Sequence, residues 1–82
     1  MDKMTYYFYT KEQCPLCEDG LAAVRLLQKE LGFELEVRDI YKNDEWLEKY
    51  QIRIPVMTDK DDSVIDEGNI SYWSLKESVD RA

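Results

Sequence analysis

The two cysteines of the chain are separated by two residues, in the segment Cys14-Pro15-Leu16-Cys17. They follow a strand-like run and begin a helical stretch that extends to Leu31. Unbonded backbone N–H groups at a helix N-terminus favour a thiolate over a thiol, and so lower a cysteine pKa from about 8.5 towards neutrality. Because the thiolate is the nucleophile in thiol–disulfide exchange, the pair predicts redox chemistry.

Helix geometry predicts different roles for the two thiols. The apolar arc of the helix consists of four residues, Leu21, Val24, Leu27 and Leu31. At about 100° per residue, Cys17 lies about 20° from Val24 in projection, whereas Cys14 lies about 80° away, at the rim of the arc. We therefore expect Cys14 to be the exposed attacking thiol and Cys17 the shielded resolving thiol. Lys11, three residues before Cys14, would add positive charge beside the thiolate.

Other interpretations of the cysteine pair are weaker. A zinc site needs about four ligands, and the chain has no histidine and no third cysteine. A metal or cluster that bridges two chains through Cys14 stays open as an alternative. If the cysteines were inert buried thiols, their position at a strand-to-helix turn would have no explanation. A structural disulfide that closed so short a loop would add little stability.

Length and charge limit the class of protein. Eighty-two residues with 44% hydrophobic side chains predict a single domain, spanning residues 1–82. A net charge of −7 argues against nucleic acid and anionic membranes as partners. There is no apolar run of about 20 residues, and the segment Met1-Asp2-Lys3-Met4 lacks the layout of a signal peptide. We therefore expect a cytoplasmic protein.

The hydrophobic pattern predicts the element order β-α-β-α-β-β-α. The run Thr5–Tyr9 is apolar on both faces, as in a central strand, and Phe33–Arg38 alternates, as in an edge strand. Asn43 would cap a short helix that ends near Gln51, and Asn69 or Ser71 would cap the last helix. Strands are predicted at residues 54–57 and 64–65, joined by a hairpin turn at residues 59–63. The fold class is thus α/β, with a four-stranded mixed sheet flanked by helices.

Two segments resemble a known family. The run Tyr9–Cys17, ending in Cys-Pro-Leu-Cys, is similar to the first strand and motif of glutaredoxins and glutaredoxin-like proteins of the thioredoxin fold. Ile54-Pro55-Val56 resembles the cis-proline segment of that family, and the resemblance covers nearly the whole chain. It implies a thioredoxin-like fold, Cys14 as nucleophile, Cys17 as resolving cysteine, Lys11 beside the thiolate and a cis Pro55 that helps an extended substrate to pair.

The same resemblance implies a substrate-binding set: Lys11, Pro15, Leu16, Arg53, Ile54, Pro55, Gly68 and Asn69. Leu16 stands where glutathione-dependent members often have tyrosine, and Arg53-Ile54-Pro55 replaces their Thr-Val-Pro. Asp66-Glu67-Gly68-Asn69 replaces a Gly-Gly-x-Asp-Asp segment that holds glutathione. Two carboxylates there would repel this anionic tripeptide, although Arg53 could meet its glycyl carboxylate.

The sequence thus predicts a monomeric thiol–disulfide oxidoreductase that reduces protein or glutathione-mixed disulfides. It needs no tightly bound cofactor and no metal. The reductant would be glutathione or a thioredoxin-reductase-type system, and the substrate a disulfide in a protein or small molecule. The alternative is a non-catalytic thioredoxin-fold module that binds partners or senses redox state.

Overall fold

Seven helices and strands and one short 3₁₀ turn follow one another in the computed structural model, which describes residues 4–81. They are β1 (Thr5–Thr10), α1 (Pro15–Leu31), β2 (Glu34–Asp39), the 3₁₀ turn (Ile40–Lys42), α2 (Asp44–Tyr50), β3 (Val56–Asp59), β4 (Val64–Glu67) and α3 (Tyr72–Arg81). The predicted order is confirmed. Residues 1–3, on which the expectation about a signal peptide depends, lie outside the described residues, as does Ala82.

The four strands form one mixed sheet in the order β2-β1-β3-β4. β1 pairs in parallel with β2 and antiparallel with β3, and β3 and β4 form an antiparallel hairpin. β1 is therefore central and β2 lies at an edge, as their hydrophobic patterns predict. β1 is apolar on both faces because helices cover both sides of the sheet.

Capping side chains explain where the helices begin. Pro15 occupies the first turn of α1, where a missing N–H costs no hydrogen bond. At α2 the Asn43 side chain accepts hydrogen bonds from two backbone N–H groups, at 2.9 and 3.3 Å, which confirms its predicted role. Ser71, rather than Asn69, caps α3: its Oγ accepts from the N–H of Ser74, while Ser74 Oγ accepts from the N–H of Ser71.

Two cores lie on opposite faces of the sheet. On one face α1 and α3 cover a cluster of eight buried residues: Tyr6, Phe8, Val24, Leu27, Phe33, Met57, Ile70 and Leu75. On the other face α2 and the 3₁₀ turn cover a smaller cluster: Tyr9, Ile40, Tyr50 and Val56. Alternation along β1 thus divides its aromatic side chains between the two cores.

Two details differ from the sequence-based expectation. Leu31 is 53% exposed, although it was expected in the apolar arc of α1. Phe33 fills that end of the core instead, with its ring edge-on to Tyr6 at 4.8 Å. β3 begins at Val56 and not at Ile54, because Pro55 has no N–H to donate to a strand ladder.

Candidate functional site

The register of the sheet brings three chain segments to one end of it. In the pairing of β1 with β3, Tyr9 lies opposite Val56, and in the pairing of β3 with β4, Val56 lies opposite Glu67. The segment that follows β1, the segment that precedes β3 and the residues that follow β4 therefore meet at this end. These segments contain the cysteine pair, Pro55 and Gly68, so the topology groups the predicted site residues.

Cys14 and Cys17 form a disulfide at the N-terminus of α1, with their Cα atoms 5.1 Å apart. Cys14 is the N-cap residue: its backbone is extended, at φ −124° and ψ 95°, and its Sγ accepts a hydrogen bond from the N–H of Cys17 over 3.2 Å. An N–H group aimed at this sulfur stabilises negative charge on it once the pair is reduced. The sulfur therefore takes the place that an oxygen has in ordinary helix caps.

The two sulfurs differ in their access to solvent. Cys17 is 1% exposed and lies on the face of α1 that points into the protein, whereas Cys14 is half-buried. This difference in exposure, expected from the helical projection, is confirmed. Pro15 and Leu16, between them, are both exposed. An incoming disulfide can reach Cys14 but not Cys17, which suits a division into attacking and resolving thiols.

Lys11 is half-buried in the loop that leads from β1 to Cys14. Within residues 4–80, no carboxylate forms an ion pair with its ammonium group. Gln13, directly before Cys14, adopts a left-handed backbone with φ 56°, which lets the loop turn into the helix.

Pro55 lies at the start of β3 and is joined to Ile54 by a cis peptide bond, as the family resemblance implies. Its carbonyl accepts a hydrogen bond from the N–H of Gly68 at 2.8 Å. Gly68 has φ 74°, a conformation that glycine adopts at little cost. This bond ties the segment after β4 to the proline segment. Ile54 is half-buried and packs against the smaller core, while Asn69 is exposed.

Arg53 does not stand free to meet a substrate carboxylate. Its Nη2 lies 2.6 Å and its Nε 2.8 Å from Oε2 of Glu67. Asp66 points to the other face of the sheet, where it accepts a hydrogen bond from Ser74 Oγ at 2.8 Å. The carboxylates of Asp66 and Glu67, which were expected to repel glutathione together, thus lie on different faces of the sheet. The charge of Glu67 is neutralised by Arg53.

Gly20 is a positioning residue that the sequence analysis missed. It lies on α1 one turn after Cys17, and a Cβ atom there would be 3.3 Å from Cγ of Pro55 and 3.4 Å from Cζ of Phe8. Its lack of a side chain lets the helix that carries the cysteines approach the proline segment closely. The signal was a glycine inside a helix, where alanine is favoured by about 1 kcal/mol.

A second polar feature lies beside the end of β1. The guanidinium of Arg38 stacks on the ring of Tyr7 at 3.7 Å, pairs with Glu36 and donates to the hydroxyl of Tyr9 at 2.8 Å. Burial raises the pKa of Tyr9. An open cavity of 440 Å³ adjoins this cluster and is lined by Thr10, Glu36, Val37, Arg38, Asp39, Lys42 and Trp46. Because Thr10 is the last residue of β1, this cavity lies near the cysteine loop.

Within residues 4–81, no group of three or more histidine, cysteine, aspartate or glutamate side chains is arranged so that it could bind a metal ion. None of the helices in the same residues is long and apolar enough to cross a membrane.

A four-stranded mixed sheet, three helices and a Cys-x-x-Cys pair at the start of α1 define a thioredoxin-fold protein with a dithiol site. Residues 5–79 match the model of the glutaredoxin-like domain family (DUF836), and the chain belongs to this family. A search among curated proteins found no match.

Solved structures share the fold. Protein Ne2328 from Nitrosomonas europaea is 29% identical, with a TM-score of 0.77 over 94% of this chain and 92% of that one. The protein XcR50 from X. campestris is 22% identical, with a TM-score of 0.77 over 94% and 97% of the two chains. Thioredoxin 1 from Thermosipho africanus is 19% identical, with a TM-score of 0.69 over 95% and 92%, and shares the fold.

Proposed function

We propose that the protein is a thiol–disulfide oxidoreductase in which Cys14 attacks and Cys17 resolves. The observation that carries this proposal is the position of Cys14 at the N-cap of α1. There the half-buried sulfur accepts the N–H of Cys17, while Cys17 itself is 1% exposed. A nucleophile needs both access and stabilised charge, and Cys14 has both.

The reaction proceeds in two exchange steps. In the first, the Cys14 thiolate attacks one sulfur of the substrate disulfide, so that the Cys14–substrate bond forms and the substrate bond breaks. The departing thiolate takes a proton from water. In the second, Cys17 gives up its proton and attacks Cys14, forming the Cys14–Cys17 disulfide and releasing the second substrate thiol. The substrate gains two electrons, which the cysteine pair loses.

A thiol reductant must then reduce the Cys14–Cys17 disulfide. We propose that two molecules of glutathione, which become glutathione disulfide, or a thioredoxin-reductase-type system supply these two electrons, and that the protein acts as a monomer in the reducing cytoplasm. Lys11, with no ion-pair partner among residues 4–80, would attract the negative charge of an approaching thiolate or carboxylate. Pro15, Leu16, Ile54, Pro55, Gly68 and Asn69 would form the surface that a substrate meets.

Turnover of hydroxyethyl disulfide tests the proposal, with each reductant system supplied in turn. We expect turnover with at least one system and none with the Cys14→Ser variant. If the wild type turned over no disulfide with either system, the alternative of a non-catalytic module would take the place of this function.

A further inference from the structure

The outer face of α3 carries a tryptophan that is 75% exposed, Trp73. Leu75, on the opposite side of the same helix, is buried in the larger core, so the packing of α3 directs Trp73 away from the protein. The indole ring stands edge-on to the ring of Tyr72, with the centroids 5.1 Å apart. Single exposed apolar residues are ordinary on protein surfaces, so the argument depends on what surrounds Trp73.

Two acidic residues lie on the same strip of α3 as Trp73. At about 100° per residue, Glu77 lies about 40° and Asp80 about 20° from Trp73 in projection, roughly one and two turns further along the helix. These three residues and Lys76 line one open cavity of 410 Å³. The structure thus places an indole ring and two carboxylates around a single space.

Lys76 is the one cation among the described residues that line this cavity. Its Nζ lies 5.8 Å from the ring centre of Tyr72, whose hydroxyl donates to Glu30 of α1 at 2.6 Å. The ammonium group is therefore directed towards Tyr72, and the methylene stem of Lys76 adds apolar surface to the cavity. At the other end of the strip, the last carbonyl groups of α3 add partial negative charge beside Asp80.

We propose that Trp73, Glu77 and Asp80 form a docking surface for an arginine-bearing segment of a partner protein. A guanidinium can stack on the face of the indole while its N–H groups donate to a carboxylate. Arginine suits this surface better than lysine, because its planar group stacks and donates at the same time. The net charge of −7 also attracts a basic partner at long range.

The docking surface is independent of the proposed exchange reaction. Neither cysteine belongs to it, and its three residues take no part in the two exchange steps. The inference therefore goes beyond the proposed function and does not rest on it.

Three peptides without cysteine test the surface: Gly-Ser-Arg-Gly-Arg-Ser-Gly, and the same sequence with lysine or with uncharged citrulline in place of both arginines. Each is titrated into isotope-labelled protein while the indole N–H signals of Trp73 and Trp46 are followed by NMR. Trp46 is the internal control, because it is half-buried on α2 against the smaller core. We expect the arginine peptide to shift the signal of Trp73 alone, with a Kd about threefold lower than that of the lysine peptide. The citrulline peptide should give no saturable shift.

Substitutions separate the docking surface from the overall charge. Trp73→Ala should raise the Kd of the arginine peptide about tenfold, measured by fluorescence anisotropy of a labelled peptide. Asp80→Asn should raise it about threefold, whereas Asp61→Asn, the matched control, should leave it nearly unchanged. Asp61 is an exposed acid in the turn between β3 and β4, so both variants lose the same charge. All three side chains are exposed, and the variants should therefore fold.

Equal losses in Asp80→Asn and Asp61→Asn would mean that net charge alone attracts the peptide, and would overturn the docking surface. It would also be overturned by an unshifted Trp73 signal, or by lysine or citrulline peptides that bind as tightly as the arginine peptide. A Trp73 signal that moved with protein concentration in the absence of peptide would assign this face to a second copy of the chain instead. Because no measurement depends on thiol exchange, each of these results leaves the proposed function intact.

Discussion

The backbone N–H of Cys17 points at Sγ of Cys14, 3.2 Å away, so the more exposed sulfur of the pair is also the one that caps α1. The first turn of the helix thus orients a donor at Cys14 while it buries Cys17. The same short segment therefore gives the two cysteines different surroundings: Cys14 is accessible and accepts a hydrogen bond, whereas Cys17 is buried.

Replacement of each cysteine tests this asymmetry. We expect Cys14→Ser to abolish exchange, and Cys17→Ser to accumulate a mixed disulfide because the resolving thiol is missing. Intact mass after incubation with a peptide disulfide and acid quenching measures the adduct. Equal adduct formation by the two single variants would refute the assignment of roles.

Gly68 and Gly32 form a matched pair for testing whether the hydrogen bond from the N–H of Gly68 to the carbonyl of Pro55 contributes to the site. Both have φ 74°, and a Cβ atom on either would meet nothing within 4 Å. Alanine should therefore lower the free energy of unfolding by about 1–2 kcal/mol at each position, from backbone strain alone. Alanine keeps the N–H, but relief of the positive φ at residue 68 would move this N–H away from the carbonyl of Pro55. Since Gly32 has no such bond to the proline segment, we expect only Gly68→Ala to slow exchange as well.

Urea unfolding and hydroxyethyl disulfide turnover together measure the two effects. If Gly32→Ala slowed exchange as much as Gly68→Ala at equal stability, the bond from Gly68 to Pro55 would have no part in the site. Gly32 lies at the C-terminal end of α1, where its N–H donates to Gln28.

The ion pair of Arg53 with Glu67 predicts how glutathione disulfide would respond to a change in charge. Glu67→Gln releases Arg53 and removes one negative charge, so we expect KM for glutathione disulfide to fall severalfold, and less so at high salt. Stability should change by no more than about 1 kcal/mol, because both side chains are partly exposed. An unchanged KM at low salt would mean that Arg53 lies out of reach of this substrate.

The rings of Tyr50 and Tyr9 are in contact, tilted by 32° with their centroids 4.4 Å apart, yet their hydroxyls have different hydrogen-bond partners. The hydroxyl of Tyr50 is buried and has no hydrogen-bond partner among the described residues, whereas that of Tyr9 accepts from Arg38 at 2.8 Å. We expect Tyr50→Phe to leave stability unchanged or to raise it by about 1 kcal/mol, and Tyr9→Phe to lower it by about 1.5 kcal/mol. Urea unfolding of both variants measures this, and an equal loss in the two would contradict the difference between the hydroxyls.

Alkaline pH should destabilise the fold through Tyr6. Burial, and then the negative charge of Asp59, raise its pKa above the ordinary value of 10.0. The unfolded chain then loses this proton at a lower pH than the folded chain. The contribution of Tyr6 to stability is thus fully present below pH 10 and is lost as the pH rises from 10 through the folded pKa. Unfolding measured from pH 8 to 11 should show a shallower loss in Tyr6→Phe, and identical slopes would exclude Tyr6 as a cause.

The periodicity of apolar residues within a single helix or strand was enough to predict which of its faces is buried. The burial of Cys17 follows from 100° per residue, and the central place of β1 from apolar residues on both its faces. The ion pair between Arg53 and Glu67 could not be predicted, because it depends on the register of β3 with β4. Leu31 was wrongly placed in the core, because Phe33 competes for the same space and only packing decides between them.

A redox titration in glutathione buffers tests the central claim most directly. Samples are acid-quenched, alkylated and read by intact mass, which reports the Cys14–Cys17 disulfide and any glutathione adduct together. We expect the pair to pass reversibly from dithiol to disulfide at roughly −200 to −270 mV, the range of cellular dithiol carriers. A pair that stayed wholly reduced or wholly oxidised across this range would contradict a catalytic cycle through Cys14 and Cys17.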